Sequence, residues 1–447
     1  MDSTPAASER RRYALCGLSN RGVASFAYPL MGISGGGEDA GLGYGADPAD
    51  PSGAAQLVAV LDADPSRRAR FLDALVPDGH PTVRGYDRED FDRMCDETQP
   101  DAVIVATPDA THVDYILAAL ERGVDVISEK PMTSTAEDAA RVLAAEKRSA
   151  ARVIVTHNLR YSARHMAMKR LIMDGRIGRV TYANLEYHVD ARHGSSYFLR
   201  WNRTRALSGG LSVHKSTHHL DLVSWLLDAE PARVFAVGGR NYYGPDGPLR
   251  PAQGEEGTDP YSLLSPDAVS PGQERTGLFD LPYGLQYPAG RRFTPFDDEI
   301  DIEDTFVSTV EFSSRAALAY TIDFSSPWEG YRLSISGTHG RIETRYGRDA
   351  DGEPRPDSDA VVVEPLFEEP ERLVIAPTQG GHDGSDTTMR RRLFGADEDA
   401  ADDLGLAATS RQAALAVAAG EALWRSARSG EAIDPRSLLT TPAGDNT

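Results

Sequence analysis

The first third of the chain alternates short apolar runs with helical patterns, and this alternation constrains the fold more than any other feature of the sequence. Residues 102–106 contain no polar side chain, as expected for a strand that is buried on both faces. Helical patterns cover residues 112–121 and 136–148. Further strands are predicted at residues 13–17, 56–62, 124–128 and 152–156. Strands that alternate with helices predict a doubly wound α/β domain with a parallel sheet.

The pattern changes near residue 157, where strands of mixed polarity begin. Apolar and polar residues alternate in the strands predicted at residues 180–189, 233–238, 305–312, 316–324 and 331–336. Such alternation is typical of an antiparallel sheet with one covered face. An amphipathic helix is predicted at residues 410–429. We therefore predict two domains, a doubly wound α/β domain at residues 1–157 and an α+β domain with a large, mostly antiparallel sheet at residues 158–447.

Two segments have the composition of insertions. Residues 32–53 are rich in glycine, alanine and aspartate, and residues 242–299 are rich in proline, glycine and aspartate. Both are long for connections inside a domain, so each is expected to be either a functional loop or disordered.

The charge of the chain excludes one class of partner. Its 47 basic and 68 acidic side chains give a net charge of -21, which repels phosphate backbones, so no nucleic acid is expected as a partner. No apolar stretch is long enough to span a membrane, so no membrane partner is expected. The polar residues 1–12 do not resemble a signal peptide, which makes the cytoplasm the expected location.

The cysteines and the acidic clusters predict no special chemistry. Cys16 and Cys95 lack the spacing of a metal site and are expected to be buried free thiols. The acidic clusters at residues 297–299 and 397–399 are expected to be solvated surface.

A glycine-rich turn follows the first predicted strand. The sequence GLSNRG at residues 17–22 fits the G-x-G-x-x-G pattern of dinucleotide-binding turns, with serine in place of the middle glycine. The first glycine permits the tight turn, and the last permits close packing of the helix that follows. Backbone N–H groups at the start of that helix can face a pyrophosphate. The residues predicted to bind the cofactor here are Gly17, Ser19, Asn20, Arg21 and Gly22.

The second predicted strand ends at Asp62. An acid at this position hydrogen-bonds the ribose hydroxyls of NAD and repels the 2′-phosphate of NADP, so Asp62 predicts NAD rather than NADP as the cofactor. Two alternatives stay open. In the first, Asp62 serves only as a turn or helix-capping acid. In the second, the neighbouring Arg67 or Arg68 receives the 2′-phosphate of NADP.

Two further strands bring polar loops to the same edge of the predicted sheet. Thr107 and Pro108 follow one strand, and the tripeptide Glu129-Lys130-Pro131 follows the next. Ligands of such folds bind at the carboxyl ends of the strands, so Thr107, Pro108, Glu129 and Lys130 are predicted to line the cofactor. His112 is predicted either to contact the cofactor or to cap and pack the helix that it begins.

Lys130 is the candidate reaction centre. An ammonium group at this edge can hold a substrate hydroxyl by a charge-assisted hydrogen bond and lower the pKa of that hydroxyl as hydride leaves. Pro131 fixes the turn, and a cis peptide bond there is compatible with the sequence. By itself a Lys-Pro pair is more often a plain turn.

Together these motifs, at their spacings, resemble the glucose–fructose oxidoreductase / inositol dehydrogenase (Gfo/Idh/MocA) family. The resemblance continues through the sequences HNLRY at residues 157–161 and GRIG at residues 175–178, and through residues 209–221 and 303–340. It covers most of the chain except the two inserted segments. It implies a Rossmann domain followed by an α/β domain whose open sheet often forms oligomer contacts, so a homo-oligomer, either a dimer or a tetramer, is expected.

The resemblance also implies the chemistry. Members of the family generally oxidise or reduce a carbinol on a sugar, an inositol or a related polyol. The lysine of their tripeptide works with an Asp-x-x-x-His pair, which implies catalytic roles for Lys130 and His218. Imidazole suits the proton transfer that accompanies hydride transfer, because it titrates near neutrality. His214 occupies the position of the family's aspartate and is the third candidate catalytic residue.

The spacing of these residues predicts one helix face. Positions 214, 218 and 221 follow the i, i+4, i+7 pattern. The residues predicted to face the core of the second domain are Leu222, Trp225 and Leu226. Metal binding by His214 and His218 is the less expected interpretation, because only Asp221 or His382 is available as a further ligand. No metal is therefore predicted.

Four further residues are predicted to contact substrate: Arg160, Tyr161, Lys215 and His382. Interdomain packing is the alternative for the first two, a contact with the cofactor or with solvent is the alternative for Lys215, and a surface loop is the alternative for His382. The sequence thus predicts an NAD-dependent dehydrogenase or reductase that acts on a sugar or cyclic polyol. One variant is the oxidation of a glycoside before its aglycone is eliminated, with residues 242–299 accommodating the larger substrate. The alternative class is a non-catalytic NAD-binding sensor, which the departures at Ser19 and His214 motivate.

Overall fold

The first sheet is built from strands whose two faces are both buried. The computed structural model describes residues 10–32, 55–75, 83–255, 258–261, 293–349, 352–356, 358–376, 384–395 and 402–440. Six parallel strands lie in the spatial order β6-β5-β4-β1-β2-β3. Their bounds are β1 Arg11–Cys16, β2 Ala55–Leu61, β3 Arg84–Tyr86, β4 Ala102–Val105, β5 Asp125–Ser128 and β6 Val153–Val155.

Alternate residues of β1 face two different apolar clusters. Tyr13 and Leu15 belong to one cluster, and Ala14 and Cys16 belong to the other. Helices cover both faces: α1 Asn20–Gly22, α2 Tyr28–Leu30, α3 Pro65–Leu75, α4 Phe91–Thr98, α5 His112–Glu121 and α6 Ala136–Glu146. A π-helical stretch, Val23–Ala27, joins α1 to α2. The prediction of a doubly wound parallel sheet is confirmed.

The second sheet has eight strands in the order β14-β13-β12-β11-β7-β10-β9-β8. Neighbouring strands are antiparallel except β10 and β7, which are parallel. The bounds are β7 Val180–Asp190, β8 Pro231–Gly239, β9 Thr305–Phe312, β10 Ala317–Ser326, β11 Glu329–Gly337, β12 Gly340–Arg348, β13 Ala360–Pro365 and β14 Glu371–Val374. The mostly antiparallel sheet was predicted, although β12 to β14 were not.

The described residues of the second half also form seven α-helices. They are α7 Ala163–Met173, α8 Ala191–Phe198, α9 Arg205–Ser208, α10 Leu211–His214, α11 Ser216–Leu227, α12 Ser385–Phe394 and α13 Ser410–Ser429. Leu222, Trp225 and Leu226 of α11 are buried, as predicted from its apolar face.

The C-terminal part of the chain returns to the first sheet. Strand β15, Ala408–Thr409, pairs with β6 in the antiparallel direction, and α13 follows it directly. Thr409 caps α13 through a reciprocal pair of hydrogen bonds with Gln412. Helix α13 lies against β8 and α11 of the second half and against α6 of the first half. The division of the chain at residue 157 therefore remains a prediction, because the last elements contact both halves.

The two cysteines are buried and free, as predicted. Burial raises the pKa of both thiols, which disfavours their reactive thiolate form. In the part of the chain that the structure describes, no helix combines the length and the apolar character needed to cross a membrane.

Candidate active site

The glycine turn after β1 has no room for side chains at its two glycines. Gly17 has φ +96°, and a Cβ atom added there would lie 2.5 Å from the carbonyl oxygen of Ala106. A Cβ atom added at Gly22 would lie 2.3 Å from the carbonyl oxygen of Gly17. Both distances are far below a van der Waals contact, so the turn requires glycine at both positions. This brings the start of the following helix close to the ends of β1 and β4.

Ser19 has a local role that explains why it replaces the middle glycine. Its hydroxyl accepts a hydrogen bond from the backbone N–H of Gly22 at 2.9 Å and donates one to the carbonyl oxygen of Ala106 at 3.1 Å. Ser19 is therefore the N-cap of α1, and its side chain is directed at the protein's own backbone. The substitution leaves the dinucleotide-binding form of the turn intact.

We predict that Gly17→Ala weakens cofactor binding and lowers the free energy of unfolding by about 1–2 kcal/mol from the backbone conformation alone. Gly123→Ala is the matched control, since Gly123 also has positive φ, at +69°, but an added Cβ atom would meet nothing within 4 Å. Denaturant unfolding and NADH fluorescence titration measure the two effects. Equal NADH affinity in both variants would contradict the assignment of Gly17 to the cofactor turn.

Asp62 connects the glycine turn to the end of β2. One carboxylate oxygen accepts the N–H of Leu18 at 2.6 Å, and the other accepts the N–H of Asp64 at 2.8 Å. Burial raises the pKa of Asp62, while these two N–H groups oppose that shift. The carboxyl group thus lies at the strand end where a ribose is expected, although it also has the turn-forming contacts of the alternative interpretation.

The two arginines that could receive a 2′-phosphate are engaged in the protein itself. Arg67 is buried and donates to the carbonyl oxygen of Leu18 and, at 3.2 Å, to the side chain of Asn20. Arg68 donates to the carbonyl oxygen of Asp62 at 2.6 Å and pairs with a further carboxylate. Both guanidinium groups therefore stabilise the glycine turn and the loop after β2.

His112 connects the two loops that were predicted to line the cofactor. Its Nδ1 atom lies 2.8 Å from the carbonyl oxygen of Pro131, and its Nε2 atom lies 2.8 Å from that of Thr107. The ring is buried at the start of α5. This is the packing alternative for His112, which fixes the positions of Thr107, Pro108 and the tripeptide at the carboxyl edge of the sheet.

Arg21 bridges the glycine turn to two carboxylates. Its Nε atom donates to Glu129 at 2.9 Å, and its two terminal nitrogens each donate to Asp386 at 2.8 Å. Asp386 also accepts the side-chain N–H of Asn158 at 2.9 Å and is buried in the first turn of α12. No local sequence pattern indicates this role for Asp386. His382, predicted to contact substrate, lies outside the described residues.

Lys130 projects from the end of β5 toward the second half of the chain. The Lys130–Pro131 peptide bond is cis. The Lys130 ammonium donates to the carbonyl oxygen of His214 at 3.1 Å. Burial lowers the pKa of Lys130 to about 8, while the negative charges of Asp109 and Glu129 oppose that shift. Lys130 is thus an ammonium group that titrates close to neutral pH, as suits a proton-transfer site.

His214 stands where the family has an aspartate, and its ring contacts the carboxylate of another aspartate, Asp109. Its Nδ1 atom lies 2.5 Å from Oδ2 of Asp109, and its Nε2 atom lies 3.2 Å from Nδ2 of Asn202. Asp109 belongs to the loop after β4, so this contact joins the two halves of the chain. Neither Asp109 nor Asn202 was predicted as a site residue, because no local pattern links either of them to position 214.

His218 lies in the first turn of α11, four residues after the carbonyl group that Lys130 contacts. Its side chain is buried, and its ring lies edge-on to that of His157 at 6.3 Å between centroids. Burial lowers the pKa of His157 to about 4, so this second ring is neutral. Neither nitrogen of His157 has a hydrogen-bond partner among the described residues. The pair brings two imidazoles to the same side of the site as Lys130.

Lys215 occupies the break between α10 and α11. Its ammonium lies 5.4 Å from the ring centroid of Tyr187. Although burial opposes ionisation, His193 and Lys215 hold the pKa of Glu329 at about 2. Glu329 accepts from Nδ1 of His193 at 3.0 Å, and Nε2 of that ring contacts the hydroxyl of Tyr197 at 2.9 Å. Lys215 thus belongs to a charged wall beside the candidate site.

Arg160 and Tyr161 have the contacts of the packing alternative. Arg160 is fully buried and makes two hydrogen bonds to Asp221, at 2.8 Å and 2.6 Å. It also donates to Gly405 and Gln412 near the start of α13. Tyr161 is buried within the main apolar cluster. The Arg160 guanidinium is thus engaged within the protein, and the Tyr161 ring packs in the core beside the site.

Two of the candidate metal ligands, His214 and Asp221, have other polar partners. His214 contacts Asp109 and Asn202, and Asp221 pairs with Arg160. Over the described ranges, no three histidine, cysteine, aspartate or glutamate side chains come together in a way that would hold a metal ion.

The described ends of the long insertion pack beside α8. Asp304 accepts three backbone N–H groups, those of Asn241, Tyr242 and Tyr243. The ring of Tyr243 stacks on that of Phe198 at 4.0 Å between centroids. The start of the insertion is therefore anchored at the site.

The acidic cluster at residues 297–299 is partly or fully exposed, as predicted for surface, but two of its carboxylates also pair with a buried arginine. Asp297 lies 2.6 Å and Glu299 lies 3.2 Å from the guanidinium nitrogens of Arg203. The Arg203 side chain is only 3% exposed, so a buried cation requires these carboxylates. Composition alone could not reveal this, because the partner lies about ninety residues earlier in the chain. The second cluster, residues 397–399, lies outside the described residues.

Two domain models of one sequence family together match most of the chain. The NAD-binding Rossmann fold of the Gfo/Idh/MocA oxidoreductase family matches residues 31–157. The C-terminal alpha/beta domain of the same family matches residues 169–434.

Individual proteins with similar sequences are named as oxidoreductases or dehydrogenases. A putative oxidoreductase, YteT of Bacillus subtilis, is 38% identical over 442 residues, which cover 96% of this chain and 99% of that protein. An inositol 2-dehydrogenase of Acidothermus cellulolyticus is 34% identical over 192 residues, covering 42% of this chain and 50% of that protein.

Solved structures show the same fold. The aldose-aldose oxidoreductase of Caulobacter crescentus, complexed with glycerol, superposes with a TM-score of 0.62 at 19% identity and covers 95% of this chain and 99% of its own. A levoglucosan dehydrogenase, in complex with NADH and levoglucosan, gives a TM-score of 0.63 at 17% identity, with 95% and 99% covered. The chain therefore belongs to the Gfo/Idh/MocA family of oxidoreductases.

Proposed function

We propose that this oxidoreductase transfers hydride between NAD and a carbinol carbon of a sugar, an inositol or a related polyol. The observation that carries the proposal is the position of Lys130. Its ammonium is half-buried at the carboxyl edge of the Rossmann sheet and reaches the carbonyl oxygen of His214, one turn before His218. A lysine and a histidine are thus available at the place where this fold binds the reacting end of its cofactor.

The residues present fit a nicotinamide dinucleotide. Gly17 and Gly22 form a turn without space for a Cβ atom, and Ser19 directs its hydroxyl into that turn. Asp62 lies at the end of β2, where it would meet the ribose hydroxyls, and this favours NAD over NADP. When bound, the nicotinamide supplies the hydride acceptor or donor.

The protein's own residues then handle the proton. The Lys130 ammonium donates a hydrogen bond to the substrate oxygen and stabilises its negative charge as the carbinol is oxidised. The imidazole of His218 takes the hydroxyl proton, and it returns that proton in the reverse reaction. His218 is buried and Lys130 is half-buried, so solvent screens their interactions with the substrate oxygen less than it would at an exposed surface.

The walls around His214 suit a substrate with several hydroxyl groups. Tyr197 and Trp201 both lie edge-on to the His214 ring, at 5.6 Å and 5.7 Å between centroids. His193 and Glu329 extend this wall with polar groups. The relatives support the same class, since one is named inositol 2-dehydrogenase and one structure contains levoglucosan. Oxidation of a glycoside, followed by loss of its aglycone, is a variant that the anchored insertion supports.

A homo-oligomer is part of the proposal. The outer face of the second sheet exposes large apolar side chains, among them Tyr182, Val237 and Val307. Burial of such side chains against a second copy of the chain would stabilise a dimer or tetramer.

The proposal is tested by supplying NAD and a panel of sugars, inositols and glycosides and measuring reduced nicotinamide and released aglycone. We expect turnover with at least one polyhydroxy substrate, and a higher kcat/KM with NAD than with NADP. Tight NAD binding without reduction by any compound of the panel would favour the alternative, a sensor that kept the fold and lost turnover.

The pKa of Lys130 predicts the alkaline limb of the pH profile. The folded-state pKa is about 8, well below the usual value for lysine, so the ammonium is present below pH 8 and lost as the pH rises through it. Because the charged form holds the substrate oxygen in both directions, kcat/KM for oxidation and for reduction is expected to fall above pH 8. A rate that keeps rising through this range would show that neutral Lys130 is the active form.

A further inference from the structure

Asp109 is a buried carboxylate that the proposed mechanism does not use. It follows β4, it is only 3% exposed, and it lies in the half of the chain that would bind the cofactor. Its Oδ2 atom is 2.5 Å from Nδ1 of His214, which belongs to the other half. A buried carboxylate normally requires a partner, and here the partner is the residue that stands at the family's aspartate position.

The partners of His214 define the direction of this hydrogen bond. A carboxylate can only accept, so Nδ1 of His214 carries the hydrogen that it donates to Asp109. Nε2 lies 3.2 Å from the Nδ2 atom of Asn202, which is a donor, so Nε2 accepts. Burial lowers the pKa of His214, which favours this neutral form. The ring is thus held as a single tautomer between Asp109 and Asn202.

His214 also lies between Asp109 and Lys130. Its side chain contacts the carboxylate, and its carbonyl oxygen accepts from the Lys130 ammonium at 3.1 Å. The negative charge of Asp109 is the strongest electrostatic interaction that favours the charged form of Lys130. One carboxylate thus affects both the placement of His214 and the charge of the candidate catalytic lysine.

We propose that Asp109 is a positioning residue of the active site, which fixes His214 from across the two halves of the chain and keeps Lys130 in its charged form. This inference rests on the proposed function. The carboxylate that the family carries at position 214 is then supplied from the loop after β4. A chain with histidine at position 214 retains a negative charge next to its catalytic lysine by this route.

The other charged groups around Lys130 affect its ionisation in opposite directions. Glu129, on the same loop, also favours the ammonium, whereas Lys215 before α11 and Arg21 on the glycine turn disfavour it. His214 and His157 are neutral neighbours, because burial lowers the pKa of both rings. Asp109 and Glu129 therefore oppose two cations as well as burial, and the loss of either carboxylate is expected to move the titration of Lys130 to lower pH.

Asp109→Asn tests the charge separately from the hydrogen bond. An asparagine oxygen can still accept from His214, so the geometry is kept while the charge is removed. We expect the alkaline limb to move from about pH 8 to about pH 7, which lowers kcat/KM about fivefold at pH 8 and less than about 1.5-fold at pH 6. A merely structural role would lower the rate equally at both pH values, and that result would overturn the proposal. Asp114→Asn, an exposed change in α5 just after the loop that carries Asp109, is the control.

A second readout does not depend on turnover. The lysines of the chain are Lys130, Lys147, Lys169 and Lys215. Acetylation by acetic anhydride over a pH series, followed by peptide mass spectrometry, reports the titration of Lys130 directly, with exposed Lys147 as internal reference. The titration is expected to shift to lower pH in Asp109→Asn, and an unchanged titration would overturn the proposal. If the wild-type enzyme oxidises no polyol, the proposed function fails, while this measurement still decides the effect of Asp109 on Lys130.

Discussion

Lys130→Met is expected to lower kcat/KM by about 10³-fold, or about 4 kcal/mol of transition-state stabilisation. Methionine keeps much of the length and apolar stem of lysine but removes the ammonium that holds the substrate oxygen. The side chain lies at the end of β5 and donates to the carbonyl oxygen of His214, so its loss removes charge from the reaction centre and not from the glycine turn. The affinity for NADH is therefore expected to change by less than about threefold.

The control for this variant is Lys147→Met, a change of the same chemistry at an exposed position after α6. Steady-state kinetics with the best substrate of the panel, together with NADH fluorescence titration, measures both variants. Turnover that stays within about threefold of the wild-type rate in Lys130→Met would exclude this lysine from the reaction centre.

His218→Ala is expected to lower kcat by about 10²-fold, since it removes the proposed proton acceptor and leaves the ammonium of Lys130 in place. The buried ring of His218 leaves a cavity next to His157 when it is removed. Imidazole added to the solution can enter that cavity and accept the proton, so it is expected to restore part of the rate in proportion to its concentration. This rescue reports chemistry and not stability.

His339→Ala is the matched control for the second prediction. His339 is exposed in the turn between β11 and β12, away from the first sheet, so neither a rate loss nor an effect of imidazole is expected. Loss of activity in His218→Ala without any rescue, accompanied by a lower free energy of unfolding, would assign His218 a structural role instead.

Much of the fold follows from local sequence patterns. The apolar run at residues 102–106 predicts a strand buried on both faces, and β4 has that burial. The periodicity of residues 410–429 predicts the whole of α13. Strand β14 lies at the edge of the second sheet and has no buried residue, and β12 lies inside the sheet but carries few apolar residues, so neither has a strong pattern of its own.

The site was predictable where one segment carries its own signal. The glycine turn and the lysine tripeptide each combine a strand end with a characteristic sequence, and both lie at the carboxyl edge of the sheet. Partners that are distant along the chain left no such signal. Asp386 meets Arg21 across 365 positions, and Asp109 meets His214 across 105 positions. Periodicity identifies the face of an element, but it carries no information about which distant element covers that face.

The central claim is that hydride passes between a carbinol carbon and the nicotinamide at the site formed by Lys130 and His218. The most direct measurement supplies NAD with sugars and inositols that carry deuterium on their carbinol carbons and analyses the reduced nicotinamide by mass spectrometry. We predict that the wild-type enzyme yields reduced nicotinamide that contains a deuterium from the substrate, and that Lys130→Met yields almost none. Reduced nicotinamide without deuterium, or bound NAD that no polyol reduces, would contradict the claim.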